Sequence, residues 1–170
     1  MTDTIDLVVV GGGAAGLAAA IFAAERAVER GHPKLSIVVL DGAKKPGAKI
    51  LVSGGSRCNV THETVAETDF WGGPRPLVRR VLKAFSHQDT LAWMSRLGVE
   101  LKLEPTGKYF PVTDSSRTVL NALLDRLTQL SVELRRGQRV ERIEPTADGF
   151  ELDVRDRFES RPPAPIDPTG

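Results

Sequence analysis

The chain opens with a short run of apolar residues that ends at a cluster of glycines. Residues 5–10 are almost continuously apolar, which predicts a strand buried on both faces of a parallel sheet. Residues 14–30 are rich in alanine and stop at Gly31, a composition that predicts a helix. Residues 35–40 form a second apolar strand. Together these segments predict a right-handed βαβ unit with parallel strands.

In the middle of the chain, some segments space their apolar residues regularly and others do not. Residues 41–70 show neither a helical nor a strand period, and we predict a long functional loop rich in Gly, Ser, Lys and Asn. Residues 76–85 carry a helical apolar face. A second helix should follow to Gly98, with Ser86 as its N-cap and Asp89 completing a capping box.

The last third predicts short strands around one more helix. Residues 99–103 alternate apolar and charged, as in a strand with one exposed face, and 108–112 are extended after a turn. Ser115 should cap a helix that runs to about residue 130, with a strand at 132–134. Residues 140–144 and 150–154 predict a hairpin. The proline-rich end has the composition of a disordered tail or linker. We therefore predict a domain at residues 1–158 and a tail or linker at 159–170.

Composition and charge exclude several classes of protein. Hydrophobic residues make up 41% and charged residues 26%, which is ordinary for a soluble domain. The net charge of +1 gives no electrostatic reason to expect a nucleic-acid or membrane partner. The glycine-interrupted N-terminal run lacks a basic start, so we expect neither a signal peptide nor a membrane span. A single cysteine, Cys58, argues against disulfides and a metal site and favours a cytoplasmic location.

The glycines after the first strand have the spacing of a phosphate-binding turn. Gly11 permits a tight turn out of the strand, Gly13 lets backbone approach a pyrophosphate, and Gly16 lets the helix pack closely on the sheet. The N–H groups of Ala14 and Ala15 would lie at the helix N-terminus, where the helix dipole favours a phosphate. A glycine-rich turn without a ligand is the alternative interpretation.

Asp41 ends the second strand and is placed to accept hydrogen bonds from ribose hydroxyls. This pattern does not distinguish NAD from FAD, because both contain an adenosine ribose and a pyrophosphate. The carboxylate argues against NADP, whose 2′-phosphate it would repel. A capping or surface carboxylate is the alternative interpretation of Asp41.

The segment 44–62, KKPGAKILVSGGSRCNVTH, favours FAD. A nicotinamide dehydrogenase has no need of such a loop after its second strand. In a flavoprotein of the glutathione-reductase type, a loop here often lines the pyrophosphate and ribityl chain of an extended FAD. Here the sequence resembles the BaiN-like, or aminoacetone oxidase-like, NAD(P)/FAD-dependent oxidoreductases, whose motif reads G-R-K-x-x-x-S-G-G-G-R-C-N-x-T. The matching positions run from Gly47 to Lys49 and from Ser53 to Thr61, and residues 109–114 (YFPVTD) match a second motif, F-P-x-S/T-D.

The resemblance implies a flavoprotein of the glutathione-reductase type that passes hydride or electrons between an unknown small-molecule substrate and NAD(P)H or oxygen. Lys49 and Arg57 have the charge to offset a pyrophosphate. Ser53 and Asn59 have the polar groups to bind ribityl hydroxyls or the flavin edge. We expect Gly54 and Gly55 to allow close backbone approach, Cys58 to be a small buried residue beside the cofactor, and the backbone of Val140 to contact the adenine.

The chain also departs from the family pattern. Ser56 replaces a usual third glycine, and Ala48 replaces a usual arginine. Trp71 and Trp93 are expected to be packing residues, and no catalytic residue is assigned. Family chains are more than twice this length, so the resemblance implies an N-terminal portion that the missing C-terminal part would complete.

The predicted fold class is α/β: a Rossmann-like FAD/NAD(P)-binding domain with a parallel sheet, a βαβ unit and a β-hairpin, incomplete at its C-terminal side. Two other functions stay open. One is a truncated, non-catalytic dinucleotide-binding module, and the other is an NAD-binding Rossmann dehydrogenase domain.

Overall fold

The structure, a computed structural model, describes residues 4–157. The predicted tail at 159–170 lies outside these residues. Strand β1 (Leu7–Val10), helix α1 (Ala14–Glu29) and strand β2 (Ile37–Asp41) form the predicted βαβ unit, with β1 and β2 parallel. The glycine cluster thus lies at the carboxyl end of β1, where ligands bind in open α/β sheets.

A third parallel strand completes the main sheet on the other side of β2. Strand β6 (Glu133–Arg136) pairs with β2 and gives the strand order β1–β2–β6. Helix α5 (Ser116–Gln129) leads into β6 and packs against α1. The core between these elements is apolar. Its most buried members are Leu17, Ala20, Ile21, Val39, Val99, Leu123 and Leu127.

The chain between β2 and α5 forms a second layer that is built around a small antiparallel sheet. The order in that sheet is β3–β5–β4. The elements of this layer are α2 (Ala48–Ser56), β3 (Thr61–His62), α3 (Arg75–Ala84), α4 (His87–Arg96), β4 (Leu101–Leu103) and β5 (Lys108–Pro111).

The prediction of an unstructured loop over residues 41–70 is wrong. Helix α2, strand β3 and a short 3-10 turn at Glu67–Asp69 lie within it. Helix α2 shows no helical spacing of apolar residues because its backbone kinks after about one and a half turns. Ser53 is extended there, and Gly54 and Gly55 are left-handed. Gly47, at the N-cap of α2, offers no side chain as a start signal.

Local signals elsewhere are more informative. Ser86 and Asp89 form the predicted capping box, in which Asp89 N–H donates to Ser86 Oγ at 3.1 Å and Ser86 N–H donates to Asp89 Oδ2 at 2.8 Å. Ser115 occupies the N-cap position of α5 but its side chain makes no capping hydrogen bond. The neighbouring Ser116 instead donates to the Leu51 carbonyl at 3.0 Å, which joins α5 to α2.

The predicted hairpin is confirmed and is longer than expected. It consists of β7 (Gln138–Pro145) and β8 (Phe150–Asp156). Among residues 4–157 no helix has the length and hydropathy needed to cross a membrane.

The two tryptophans differ in environment. Trp93 is buried with 6% exposure, as expected of a packing residue, but Trp71 is 90% exposed, so its assignment to packing is wrong. The short apolar stretch around Trp71 has the composition of a buried segment, and only the tertiary structure shows that nothing in the described chain covers it.

Candidate functional site

The glycine turn is held tightly between β1, β2 and α1. Gly11 has a φ of +104° and its N–H donates to the Leu40 carbonyl at 2.8 Å, which ties the turn to β2. A Cβ placed on Gly16 would lie 1.8 Å from the Gly11 carbonyl oxygen. Gly16 therefore allows the close approach of helix and turn that the sequence predicts.

Gly13 has no comparable role within the protein. It is the N-cap of α1, its φ of −84° suits any residue, and no atom lies within 4 Å of a Cβ placed there. Gly13, Ala14 and Ala15 are exposed, and α1 begins without a side-chain cap. The first N–H groups of α1 therefore have no intrahelical partner and face open space, as at helix ends that bind anions.

Asp41 connects the glycine turn to the end of β2. Its Oδ2 accepts from Gly12 N–H at 2.9 Å and its Oδ1 accepts from Ala43 N–H at 2.8 Å. A Cβ on Gly12 would lie 2.5 Å from Oδ2, so glycine at this position permits the bond. Each carboxylate oxygen retains a second lone pair that can accept from a ribose hydroxyl.

The hairpin approaches the two residues that follow Asp41 at the end of β2. A Cβ on Gly42 would lie 3.2 Å from Arg139 Cβ, and Gly137 N–H donates to the Ala43 carbonyl at 3.2 Å. Val140 follows Arg139 in β7 and pairs with Val154 of β8. The candidate adenine contact therefore lies on a strand that starts beside Asp41.

A cavity of about 580 Å³ adjoins the glycine turn. It brings together nine of the predicted cofactor-binding residues: Gly11, Gly13, Ala14, Ala15, Gly16, Lys49, Ser53, Cys58 and Asn59. The rest of its wall is mostly apolar and does not follow from the sequence motifs. It comprises Val10, Ile50, Val60, Thr90, Trp93, Met94, Val119 and Leu123.

Gly47 explains how α2 comes to face this cavity. Its N–H donates to the Gly12 carbonyl at 2.8 Å, so α2 starts directly against the glycine turn. Gly47 has a φ of +69°, and a Cβ there would lie 2.4 Å from Leu120 Cδ1. Gly47 is not among the predicted cofactor-binding residues, although it begins the family motif that continues to Thr61.

The segment after α2 turns sharply in order to bring Cys58 and Asn59 into the wall of the cavity. A Cβ on Gly54 would lie 2.7 Å from Asn59 N and 2.8 Å from the Phe110 ring, so Gly54 supports the turn. Gly54 and Gly55 are not part of the cavity wall. Ser56, with a φ of +66°, occupies the left-handed region in which the family usually has glycine.

We expect Ser56→Gly to stabilise the chain. A non-glycine residue in the left-handed region costs about 1 kcal/mol, and the larger backbone entropy of unfolded glycine offsets part of the gain. The melting temperature measured by circular dichroism should rise by about 1–3 °C. Gly55→Ala is the matched control: Gly55 has a φ of +67° and open space around it, so its variant should melt at a lower temperature. A fall in the melting temperature of Ser56→Gly would show that this backbone is not strained.

Arg57 points away from the cavity into a cluster of charges. Its guanidinium pairs with Glu104 at 2.5 Å and Asp114 at 3.5 Å, and lies 4.0 Å from the centre of the Phe110 ring. Lys102 also donates to Asp114, and this hydrogen bond is the main cause that lowers the pKa of that carboxyl. Arg57 thus joins the two motifs that carry the family resemblance, and a phosphate contact would require it to leave Glu104.

Cys58 lies in the cavity wall and is 6% exposed. Burial raises the pKa of its thiol, which disfavours the nucleophilic thiolate at neutral pH. This environment is that of a small buried residue rather than a reactive cysteine.

Solved structures show the class of fold. The 3-ketosteroid-Δ4-(5α)-dehydrogenase from Rhodococcus jostii RHA1 aligns with a TM-score of 0.62 at 14% identity, covering 91% of this chain and 42% of that chain. A flavocytochrome c3 fumarate reductase in its open conformation aligns with a TM-score of 0.54 at 15% identity, covering 89% and 32%. The chain is thus a Rossmann-like α/β domain.

The sequence narrows this class to one family. The chain belongs to the HI0933-like protein Rossmann domain family, whose profile matches residues 5–162. It is 34% identical to the 3-dehydro-bile acid delta(4,6)-reductase of Clostridium scindens over 84% of this chain and 33% of that protein. It is 27% identical to the ribosomal RNA dihydrouridine synthase of Escherichia coli K12 over 89% and 36%.

These comparisons confirm the resemblance found in the sequence. The matched family is one of Rossmann domains, in agreement with the predicted fold class. The chain spans about a third of the length of the curated relatives it matches.

Proposed function

We propose that this chain binds FAD along the carboxyl edge of β1 and β2 and forms the cofactor-binding portion of a flavoprotein oxidoreductase. The observation that carries the proposal is that the glycine turn contacts two different groups of predicted cofactor-binding residues. Asp41 accepts a hydrogen bond from Gly12 N–H and, like Val140, is not part of the cavity wall, whereas Gly11, Gly13 and Gly16 are part of it. An extended FAD has two such ends, with its adenosine at Asp41, its pyrophosphate at the N-terminus of α1 and its flavin in the cavity.

Each group has the chemistry that its part of FAD requires. Asp41 has acceptor capacity for the adenosine ribose, and the backbone of Val140 can meet the adenine edge. Gly13 leaves room for the pyrophosphate at the N-terminus of α1, where the helix dipole favours negative charge. Lys49, which is exposed in the cavity wall, adds a positive charge nearby.

The cavity suits the flavin half of the cofactor. Its apolar wall can exclude water from the ring, while Ser53 and Asn59 offer polar groups to ribityl hydroxyls or ring heteroatoms. Bound FAD would supply the electron-transfer chemistry, and the protein would bind and orient it. Arg57, Gly54 and Gly55 then act by shaping the segment that carries Ser53 and Asn59, with Arg57 held by Glu104.

The visible spectrum of the purified chain tests this proposal. A chain that binds FAD should show flavin absorbance, or acquire it when incubated with FAD and passed through a desalting column. FAD should also raise the melting temperature, since a ligand at a hundred times its Kd stabilises the folded state by about 2.7 kcal/mol. A folded chain that stays colourless and melts at the same temperature with FAD would overturn the proposal. Stabilisation by NAD but not by FAD would favour the dehydrogenase alternative.

We further propose that NAD(P)H or oxygen is the redox partner of the flavin and that the substrate is a small molecule. We also propose that the protein is cytoplasmic. The net charge of +1 offers little general attraction to a polyanion, and the bile-acid enzyme is the more similar of the two relatives. Loss of flavin absorbance on anaerobic addition of NADH or NADPH would support a nicotinamide donor. FAD binding without this bleaching would favour a binding module that does not turn over by itself.

A further inference from the structure

The segment from Ser53 to Asn59 carries polar groups of the cavity wall on a strained backbone. Its left-handed residues, with φ values between +55° and +67°, are Gly54, Gly55, Ser56 and Cys58. Two of these four are not glycine, so the conformation persists only where surrounding contacts hold it. Cys58 N–H donates to the Ser53 carbonyl at 3.0 Å, which closes the segment on itself. Contacts from outside the segment are therefore needed to fix its place relative to the cavity.

Arg57 ties this segment to the small antiparallel sheet. Its guanidinium donates to both carboxylate oxygens of Glu104, at 2.5 and 3.4 Å, whereas Asp114 is 3.5 Å away. It also lies 4.0 Å from the centre of the Phe110 ring, and a Cβ on Gly54 would lie 2.8 Å from that same ring. A bidentate pair of Arg with a carboxylate fixes direction as well as distance. The pair therefore holds the segment in one orientation on the sheet.

Glu104 is well placed to act as the anchor of this pair. It lies in the turn between β4 and β5, where its N–H donates to the Lys108 carbonyl at 3.0 Å and its carbonyl accepts from Gly107 N–H at 2.8 Å. These bonds fix the backbone from which its side chain extends. Glu104 is not part of the cavity wall. An influence of Glu104 on a ligand in the cavity would therefore pass through Arg57.

We propose that Glu104 is a positioning residue for the flavin half of bound FAD. Through Arg57 it holds Ser53 and Asn59 at the places from which they bind the ribityl chain or the flavin ring. The inference rests on the proposed function, because it requires FAD in the cavity. It gives a role to a residue that lies in neither of the two family motifs. Arg57 then serves the cofactor through its ion pair and not as a ligand of the pyrophosphate.

Ligand titrations of Glu104→Ala test this role at a temperature at which the variant is folded. We expect the Kd for FAD and for FMN to rise about three- to tenfold. The Kd for ADP should stay the same, because ADP has no group that enters the cavity. The visible spectrum of bound FAD should also shift relative to that of the unmodified complex, since displaced polar groups change the hydrogen bonds to the flavin. A loss of stability alone would produce neither the split between FMN and ADP nor the spectral shift.

Glu25→Ala is the matched control. Glu25 accepts from Arg126 at 2.7 and 2.9 Å in an ion pair that joins α1 to α5. The two side chains of this pair are 34% and 25% exposed, against 37% and 26% for Arg57 and Glu104. Neither Glu25 nor Arg126 is part of the cavity wall. The control should therefore lose a similar amount of stability and bind FAD, FMN and ADP like the unmodified chain.

A double-mutant cycle with Arg57→Met tests whether Glu104 acts through Arg57. If it does, the chain that carries both changes should bind FAD no more weakly than Arg57→Met alone. Losses of affinity that add up would show that the two residues act independently, and would overturn the inference.

The outcomes separate the inference from the proposed function. If Glu104→Ala binds FAD and FMN as tightly as the unmodified chain, the positioning role is overturned and the FAD site stands. If ADP binding falls equally, Glu104 acts through the fold as a whole, which also overturns the role. If FAD and ADP both bind more tightly, Glu104 withholds Arg57 from the pyrophosphate, and the inference is again overturned. If the unmodified, folded chain binds no FAD, the proposed function and the inference both fail.

Discussion

Gly16→Ala is expected to destabilise the folded chain strongly. The new Cβ would lie 1.8 Å from the Gly11 carbonyl oxygen and 3.0 Å from the Gly11 carbonyl carbon. Both atoms belong to the backbone of the glycine turn, so no side chain can move to relieve the overlap. Helix α1 or β1 would have to shift, although Leu17, Ala20 and Ile21 of α1 are completely buried.

Such overpacking costs about 3 kcal/mol or more, a large share of the ~5–15 kcal/mol that stabilises a typical domain. Urea denaturation followed by circular dichroism measures the loss. A Gly16→Ala chain with an unchanged unfolding midpoint would show that α1 does not approach the turn as closely as described.

Gly13→Ala is the matched control, and its expected effect is on binding alone. Gly13 has a permissive φ of −84°, and no atom lies within 4 Å of a Cβ at this position. Alanine should therefore leave the unfolding midpoint nearly unchanged, while its methyl group occupies the space where the pyrophosphate would approach the N-terminus of α1. We expect FAD affinity to fall about tenfold or more. Unchanged FAD affinity in this variant would place the pyrophosphate elsewhere.

Asp41→Ala is expected to reduce both stability and FAD affinity. The change removes two hydrogen bonds, from Gly12 N–H at 2.9 Å and Ala43 N–H at 2.8 Å. Hydrogen bonds to a charged group contribute about 1.5–3 kcal/mol each, so the melting temperature should fall by about 6 °C or more. The loss of the ribose acceptor should weaken FAD binding about tenfold, as measured by titration below the new melting temperature.

Asp6 offers a control at the opposite end of the same two strands. Its carboxylate also joins β1 to the start of β2, because it accepts from Ser36 N–H at 2.8 Å and Ser36 Oγ at 2.6 Å. The side-chain hydrogen bond from Ser36 is the main cause that lowers the pKa of Asp6. Asp6→Ala should therefore lower the melting temperature and leave FAD affinity unchanged. Equal losses of FAD affinity in both variants would mean that Asp41 acts only through the fold.

The sequence predicts those parts of the fold that local signals determine. The βαβ unit follows from an apolar run, a glycine turn and an alanine-rich helix that lie next to one another in the chain. The capping box of Ser86 and Asp89 and the turn of the last hairpin are also local patterns. The phosphate end of the site follows in the same way from the spacing of Gly11, Gly13 and Gly16.

Other features depend on contacts between distant segments and could not be predicted. Helix α2 is too short to show a period, and its position depends on the hydrogen bond between Gly47 and Gly12. Strand β3 is two residues long, and its partner β5 lies more than 40 positions further along the chain. The charge of Arg57 predicts a phosphate ligand, whereas its pairing with Glu104 spans 47 positions in the sequence.

The cavity wall illustrates the same limit. The apolar positions of α4 and α5 that line the cavity have the helical spacing of ordinary core residues. Trp93 is one of them, and composition alone gives no sign that it lines a cavity.

The central claim is that the binding site continues past the pyrophosphate into the cavity that Ser53, Asn59 and Trp93 help to form. Calorimetric titration of the folded chain with FAD, ADP and NAD tests this claim most directly. We predict one FAD site per chain and a Kd for FAD at least about tenfold lower than for ADP or NAD, because only FAD carries a flavin for the cavity. An FAD affinity no higher than that of ADP would contradict the account.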